Sequence, residues 1–164
     1  MLGEAPPALC RLTGGSHVVS GQMAPHRLAL KVRFGELDPY NHVNHAVYVA
    51  WFEAGRCEAM ADVGCSLATL GELGAQVVVA DLAVKYRRSA VADDEVIVET
   101  WIAELGRVVG TWKQRIVRSR PDGAVEVLCE ATVRAGACDA MGKPHRLPPA
   151  AAAALAALVW DETR

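Results

Sequence analysis

Four extended segments follow one another between residues 76 and 135, and the short links between them constrain the fold more than any other feature. The segments cover residues 76–87, 95–104, 108–118 and 125–135. Apolar and polar residues alternate most clearly in the second segment, as expected for a strand with one buried face. The pair Asp122-Gly123 lies between the last two segments and is a strong hairpin signal. Because short links join antiparallel neighbours, the sequence predicts an antiparallel meander.

A further strand and a long helix are predicted before this meander. Residues 28–34 alternate apolar residues, ending with Phe34, with mostly basic ones, which indicates a strand with one buried face. An Asp-Pro pair at residues 38–39 then favours a turn. Asn44 is a candidate N-cap, because its side-chain oxygen can accept from the free N–H groups of a helix start. The helix is expected to end near Asp62.

Two shorter helical pieces are predicted at residues 66–73 and 150–159. The order of strand, long helix and four strands places one helix against one antiparallel sheet, which is an α+β arrangement. A single helix covers only part of one face of a five-stranded sheet, so a second copy of the chain, in a twofold dimer, is expected to cover the rest. The side chains expected on the uncovered face are Trp101, Val109, Trp112 and Ile116.

Charge and composition exclude several classes of function. Lys and Arg number 17 and Asp and Glu 19, so the formal net charge is −2, which gives no basic field for wrapping nucleic acid. No apolar run reaches the roughly 20 residues that a membrane helix needs. The five Cys form no CxxC pair, so the spacing fits no zinc ribbon and favours reduced thiols in a cytoplasmic protein.

The length of 164 residues fits one domain with a leader and a tail. We expect residues 1–26 to be a flexible leader, because they are rich in Pro and Gly and lack the pattern of a secretory signal. Met23 is an alternative start of translation. Residues 27–148 are expected to form the domain, and residues 149–164 a C-terminal helical tail.

The densest set of reactive side chains lies in residues 31–60, around the predicted turn and helix start. Asp38 has two interpretations there. It is either a turn residue that hydrogen-bonds its own backbone, or a carboxylate held near the free N–H groups and the positive dipole end of the helix. In the second case it would act as a base toward water or attack an acyl carbon. The helix-start N–H groups would then hold the oxyanion.

His42 and His45 are open to three interpretations. Together with Asp38 they form a D-x3-H-x2-H series, but this spacing matches no established short metal-ligand motif. Either histidine could instead tie the loop together by hydrogen bonding. For a functional role His45 is better placed than His42, because it follows the Asn44 cap and its own backbone N–H is unpaired.

Charged side chains outside the turn have both a structural and a functional interpretation. Lys85, Arg87 and Arg88 form a basic cluster, which is either a solvated strand end or a landing site for a phosphorylated ligand, since Arg pairs well with phosphate. Glu53 and Arg56 lie three residues apart on the predicted helix and are expected to form a surface ion pair. The alternative is that Glu53 supplies a second carboxylate near the turn.

The segment RFGELDPYNHVNHAVYVAWFEAGR resembles the signature of the hotdog-fold acyl-CoA thioesterases of the 4-hydroxybenzoyl-CoA thioesterase type. In that signature a strand runs into an F-x-D-x-D turn, then H-V-N, then a central helix with F-E-x-x-R. The resemblance covers roughly residues 28–148 and departs at Glu36, where the family usually has Asp. It implies a hotdog fold, with a five-stranded antiparallel sheet wrapped around one central helix. The predicted C-terminal helix would follow this domain.

The resemblance also implies hydrolysis of an acyl-CoA thioester to free acid and CoA, with no cofactor and no metal. Asp38 corresponds to the family's catalytic Asp, acting as nucleophile or general base, and the backbone N–H at His45 to the donor that polarises the thioester carbonyl. The expected assembly is a homodimer or homotetramer, with no nucleic-acid or membrane partner. The candidate substrate-binding residues are Asn44, Tyr48, Trp51, Arg87 and Arg88.

Two other functions are compatible with the same residues. A thioesterase could act on acyl groups carried by an acyl carrier protein in fatty-acid or polyketide assembly, because the pantetheine arm is common to both thiols. A hotdog protein could also bind acyl thioesters without turning them over. The length and polarity of the acyl group do not follow from the residues named.

Overall fold

The computed structural model describes residues 24–162, so the predicted leader lies outside the described residues up to position 23. The strands are β1 (His26–Lys31), β2 (Gln76–Tyr86), β3 (Glu95–Leu105), β4 (Val109–Ser119) and β5 (Val125–Cys138). The helices are α1 (His45–Asp62), α2 (Leu67–Glu72) and α3 (Pro149–Leu155), with 3-10 turns at Phe34–Glu36 and Ala156–Leu158. None of these helices is long and apolar enough to span a membrane. The predicted α+β architecture is confirmed.

All five strands belong to one antiparallel sheet with the order β1-β3-β4-β5-β2. The consecutive strands β3, β4 and β5 form the central meander that the short links predict. β1 and β2 are the two edge strands, and α1 follows β1 and precedes β2 in the chain. The helix therefore crosses one face of the sheet on its way from one edge to the other.

α1 packs closely onto β3 because residue 55 is glycine. A Cβ atom at Gly55 would lie 2.7 Å from Val98 Cγ1 and 2.9 Å from Thr100 Oγ1. Phe52, three residues earlier, is 0% exposed, and burying an aromatic side chain contributes about 2 kcal/mol. α1 is thus the central helix of the domain, and it ends where predicted, with Gly64 in the left-handed region at φ +75°.

A buried amide joins α1 to the centre of the sheet. Gln114 of β4 donates through Nε2 to the carbonyl of Phe52 at 2.8 Å and to Thr100 Oγ1 at 2.9 Å. Its Oε1 accepts from Arg56 Nη1 at 2.7 Å. In the described residues Arg56 forms its hydrogen bond with Gln114 in place of the predicted surface ion pair with Glu53. Burial lowers the pKa of the Arg56 guanidinium, although the negative charge of Glu53 still favours its charged form.

β1 is shorter than the sequence predicts. It ends at Lys31, and Phe34 opens a 3-10 turn in which its side chain is 91% exposed. The prediction that Phe34 faces the core is therefore wrong. The physical reason is a local cap, since the Glu36 carboxylate accepts from the N–H of Arg33 at 2.8 Å and so stabilises a turn in place of further strand.

The side chains predicted to share one uncovered face of the sheet lie on two different faces. Trp112 and Ile116 are buried in the core beside α1, whereas Trp101 lies on the opposite face. The register explains this, because Trp112 pairs with the buried Ile102 and paired residues share a face. Trp101 is nevertheless buried, since the ring of Trp160 packs edge-to-face on it with 5.1 Å between centroids. The predicted shared, uncovered face is therefore wrong.

The segment after β5 packs into the same core as the sheet. Ala151 and Leu155 of α3 are buried. Beyond α3, Val159 pairs with Ile102 in parallel, and the N–H of Trp160 donates to the Ile102 carbonyl at 3.1 Å. This pairing uses the part of the β3 edge that β1 leaves free. Val109, which was expected to need a partner chain, stays partly exposed.

Candidate active site

A short hairpin carries Asp38 back to the start of α1. Leu37 and Val43 pair in antiparallel fashion. On one side of this pair the N–H of Asn44 donates to the Glu36 carbonyl at 2.9 Å, and on the other the N–H of Asp38 donates to the His42 carbonyl at 2.7 Å. Asp38 therefore lies on the arm opposite the residues that lead directly into the helix.

The Asp38 carboxylate is held by its own turn. Its Oδ1 accepts from the N–H groups of Tyr40 at 2.8 Å and His42 at 3.1 Å. Asn41 takes the left-handed conformation at φ +60°, which Asn tolerates better than most residues. Within residues 24–162 Oδ2 has no hydrogen-bond partner. The half-buried carboxylate is thus oriented through one oxygen and keeps the other free.

The same turn occurs a second time, directly after β5. Asp139 Oδ1 accepts from the N–H groups of Met141 and Lys143, both at 2.9 Å. Its N–H donates to the Lys143 carbonyl, and Gly142 supplies the left-handed residue. Asp38 therefore does hydrogen-bond the backbone of its own turn, as the first interpretation predicted. Because Asp139 does the same, this turn by itself does not indicate catalysis. What distinguishes Asp38 is the helix that begins beside it.

The start of α1 presents a free backbone donor. Asn44 caps the helix as predicted, its Oδ1 accepting from the N–H of Ala46 at 2.9 Å. His45 is the first helical residue, so its N–H has no intrahelical acceptor and points out at the positive end of the helix dipole. The His45 side chain is exposed. An incoming carbonyl oxygen could therefore accept from this N–H.

Tyr48 and Trp51 are buried, at 2% and 6% exposure. The Tyr48 hydroxyl accepts from the N–H of Ala90 at 2.8 Å, and the two rings meet edge-to-face at 5.4 Å. Both side chains therefore belong to the core of the described residues. Tyr48 thereby joins α1 to the connection between β2 and β3, and Trp51 joins α1 to Glu36 in the 3-10 turn that precedes it.

Two residues beside the site were not selected from the sequence. Tyr86, at the end of β2, donates its hydroxyl to the His45 carbonyl at 3.0 Å and packs edge-to-face on Tyr48 at 5.6 Å. Glu36 accepts from the indole Nε1 of Trp51 at 3.2 Å. The strand alternation places Tyr86 on the helix side of the sheet, which was an available signal. No pattern in the sequence indicates that Glu36 reaches Trp51.

Arg87 and Arg88 follow β2 directly and line a cleft of about 400 Å³ with Glu126 and Glu130. Arg87 Nε lies 2.8 Å from Glu130 Oε2, and Arg88 Nε lies 3.9 Å from Glu126 Oε1. Both guanidinium groups are more than half exposed. They stand next to Tyr86, and hence near the helix start, but each already has a carboxylate neighbour with which a phosphate would compete.

Three thiols of the described residues, Cys57, Cys65 and Cys129, are poorly suited to act as nucleophiles. Burial raises the pKa of Cys129 to about 12, and it also raises the pKa of Cys57 and of Cys65. Such thiols stay protonated, and hence weakly nucleophilic, at neutral pH. In residues 24–162 no three His, Cys, Asp or Glu side chains come together to hold a metal ion. His42 and His45 are both exposed on the surface of the loop.

The chain is similar in sequence to known thioesterases. A putative acyl-CoA thioesterase of Bacillus subtilis is 29% identical over 75 residues, which are 46% of this chain and 54% of that protein. A chloroplastic acyl-acyl carrier protein thioesterase of Arabidopsis thaliana is 28% identical over 142 residues, 87% of this chain and 72% of that one. The chain spans about half the length of some of the curated relatives it matches.

Solved structures share the architecture. A probable thioesterase from Bartonella henselae is 28% identical and superposes with a TM-score of 0.70, over 76% of this chain and 100% of that one. The family model of the thioesterase-like superfamily matches residues 32–155, a range that runs from the end of β1 to the end of α3. The chain therefore belongs to the thioesterase-like superfamily and has the hotdog fold.

Proposed function

We propose that this protein hydrolyses acyl thioesters, with acyl-CoA as the substrate and Asp38 as the catalytic carboxylate. The observation that carries the proposal is the hairpin pairing of Glu36 with Asn44. It pairs the arm that carries an oriented carboxylate with one free oxygen with the arm that leads into the helix start, where a backbone N–H is free. A carboxylate and an oxyanion donor on neighbouring segments are the two groups that acyl transfer requires.

In the proposed reaction the thioester carbonyl oxygen accepts a hydrogen bond from the backbone N–H of His45. This donor stabilises the negative charge that develops on the oxygen, and one such donor is worth about 3 kcal/mol. The helix dipole acts in the same direction. The exposed His45 side chain is not needed for this step, because the donor is the backbone.

Asp38 has two routes from there. As a nucleophile, its free Oδ2 attacks the carbonyl carbon, the C–S bond breaks with release of the thiolate, and water hydrolyses the resulting anhydride. As a general base, it removes a proton from a water molecule that attacks the same carbon. Both routes consume one water and yield free acid and thiol.

We further propose that Arg87, Arg88 and Asn44 lie beside the bound thiol moiety. Arg87 and Arg88 lie next to Tyr86, whose hydroxyl contacts the carbonyl of His45 at 3.0 Å. The two arginines would meet phosphates of CoA by exchanging their present carboxylate neighbours. Asn44 would act through its cap, by keeping the first turn of α1 in place. Tyr48 and Trp51 would support this turn from inside the core.

A second candidate substrate is an acyl group on a carrier protein. It is favoured by the Arabidopsis relative, an acyl-acyl carrier protein thioesterase that matches 87% of this chain. The chemistry at Asp38 would be the same, because the reacting thioester is the same. Only the contacts outside the reaction centre would differ.

The test is a comparison of matched thioesters. Purified protein is incubated with acyl-CoA and acyl-carrier-protein substrates that bear the same short, long or aromatic acyl group, and free acid is measured by mass spectrometry. We expect turnover of acyl-CoA for at least one acyl class. A higher kcat/KM on the carrier protein would move the substrate assignment to that partner. Binding without turnover in every case would contradict the proposed function.

We also propose that the protein assembles as a homodimer or homotetramer through β2. This strand is an eleven-residue edge whose outer side pairs with no strand in the described residues. Val78 and Val79 on it are 49% and 51% exposed. An open apolar edge of this length is a template for pairing, and pairing with itself would be twofold symmetric.

Light scattering should therefore give at least twice the monomer mass for the wild-type protein. Val79→Lys is expected to weaken association by at least about tenfold, because each copy would bring a lysine charge into the paired edge in place of an apolar side chain. Val125→Lys is the matched control, since Val125 is 64% exposed at the far end of the β4–β5 hairpin. A wild-type monomer, or equal effects of the two substitutions, would contradict the β2 interface.

A further inference from the structure

Glu36 joins three separate parts of the site. Its Oε1 accepts from the indole Nε1 of Trp51 at 3.2 Å, and its Oε2 accepts from the N–H of Arg33 at 2.8 Å. Its backbone carbonyl accepts from the N–H of Asn44 at 2.9 Å. One residue therefore links the start of the 3-10 turn, the second turn of α1 and the cap of α1.

The bonds that Asp38 makes itself are of a different kind. They run to Tyr40, Asn41 and His42, within five residues of chain, so they set the shape of the turn. They do not set where the turn lies relative to α1. The Asp139 turn has the same internal bonds, but no helix begins directly after its hairpin, since α3 starts only at Pro149. The internal bonds alone therefore do not place a turn at a helix start.

Trp51 is a rigid residue of the core to which the turn that carries Asp38 can be attached. It is 6% exposed, and its ring packs on Tyr48, whose hydroxyl is bonded to the N–H of Ala90. A loop residue that bonds to the Trp51 indole is therefore tied to the rigid core of the domain. Glu36 makes this bond two residues before Asp38, and no other side chain in residues 24–162 hydrogen-bonds the Trp51 indole.

We propose that Glu36 is a positioning residue, which acts through Trp51 to hold the Asp38 carboxylate at the start of α1. This inference rests on the proposed function for its effect on catalysis. Because the bond sets geometry and not substrate contact, its loss lowers kcat and leaves KM nearly unchanged. Misplacing a reacting group by about 1 Å costs on the order of 100-fold in rate.

The kinetic test compares Glu36→Ala, Trp51→Phe and the double variant. Glu36→Ala is expected to lower kcat by about 10- to 100-fold with KM changed less than about twofold. Trp51→Phe keeps the buried ring but removes the indole donor, so it should lower kcat in the same direction. The double variant should lose no more than Glu36→Ala alone, because both substitutions break one interaction. Glu58→Ala, an exposed carboxylate on α1, is the matched control with unchanged kcat.

A structural readout tests the placement without any activity. Amide hydrogen exchange at Asn44, whose N–H is bonded to the Glu36 carbonyl, should become at least about tenfold faster in Glu36→Ala and in Trp51→Phe, but not in Glu58→Ala. Glu36→Gln keeps one acceptor oxygen, so it serves as a second variant in case Glu36→Ala does not fold. It should accelerate exchange at Asn44 less than Glu36→Ala does. Unchanged exchange at Asn44 in both variants, or a kcat equal to that of wild type, overturns the proposal. A wild-type protein with no thioesterase activity overturns the proposed function alone, since the exchange result then decides the placement by itself.

Discussion

Replacing Asp38 by asparagine is expected to lower kcat for acyl-thioester hydrolysis by about 10²- to 10⁴-fold. Asparagine retains a side-chain oxygen that can accept from the N–H groups of Tyr40 and His42, as Oδ1 does now. The turn therefore keeps its shape. What is lost is the negative charge, and with it both the nucleophile and the base. Steady-state kinetics on the preferred thioester measure the loss, and circular dichroism with thermal unfolding verifies the fold.

The chain contains its own control for this substitution. Asp139 occupies an equivalent turn with two equivalent backbone donors, so Asp139→Asn makes the same chemical change in a hairpin that does not lead directly into a helix. It is expected to leave kcat within about twofold of wild type, as for a surface site away from the chemistry. Wild-type kcat in Asp38→Asn would contradict the catalytic assignment. An equal loss in Asp139→Asn would attribute the effect to turn structure.

Replacing Gly55 by leucine is expected to destabilise the protein by about 3 kcal/mol or more. Even the Cβ atom would meet Val98 Cγ1 at 2.7 Å and Thr100 Oγ1 at 2.9 Å, and the remaining side-chain atoms have nowhere to go between α1 and β3. The midpoint of thermal unfolding should fall by roughly 6–12 °C. Chemical denaturation gives the free energy of unfolding directly.

Gly71→Leu is the matched control for helix propensity. Gly71 lies in the exposed helix α2 with no atom within 4 Å of its Cβ position. Leucine there should stabilise the helix by up to about 1 kcal/mol, since glycine is the weaker helix former. If Gly55→Leu proved as harmless as Gly71→Leu, close packing of α1 on β3 would not be what holds the central helix.

The strands and α1 were predictable because their signals are local. Alternation over residues 95–104 agrees with the burial of Val96, Val98 and Ile102 in β3. Asn44 was recognisable as a cap from residue type and position alone. The prediction for Phe34 was wrong because two local signals compete there. Its alternation continued the strand pattern, but a side-chain cap from Glu36 favoured a turn that the pattern does not contain.

Which face of the sheet a strand residue occupies could not be predicted from local signals. The sequence identifies Trp101 and Trp112 as strand residues, but which face each occupies depends on the register between β3 and β4. A shift of one residue would exchange the two faces. The cover on Trp101 comes from Trp160, nearly sixty residues later, through a segment that completes the edge of β3. A pattern read over a short stretch of sequence cannot show a contact between residues so far apart in the chain.

At the candidate site, the sequence by itself determined the carboxylate, the cap and the helix start, because Asp38, Asn44 and His45 are neighbours along the chain and act through backbone geometry. Tertiary structure alone decided what surrounds them. It buried Tyr48 and Trp51, gave Arg87 and Arg88 carboxylate neighbours, and brought the Tyr86 hydroxyl to the His45 carbonyl and Glu36 to the Trp51 indole. Contacts of this kind join residues that meet only when the sheet and helix pack together, and packing depends on the whole chain.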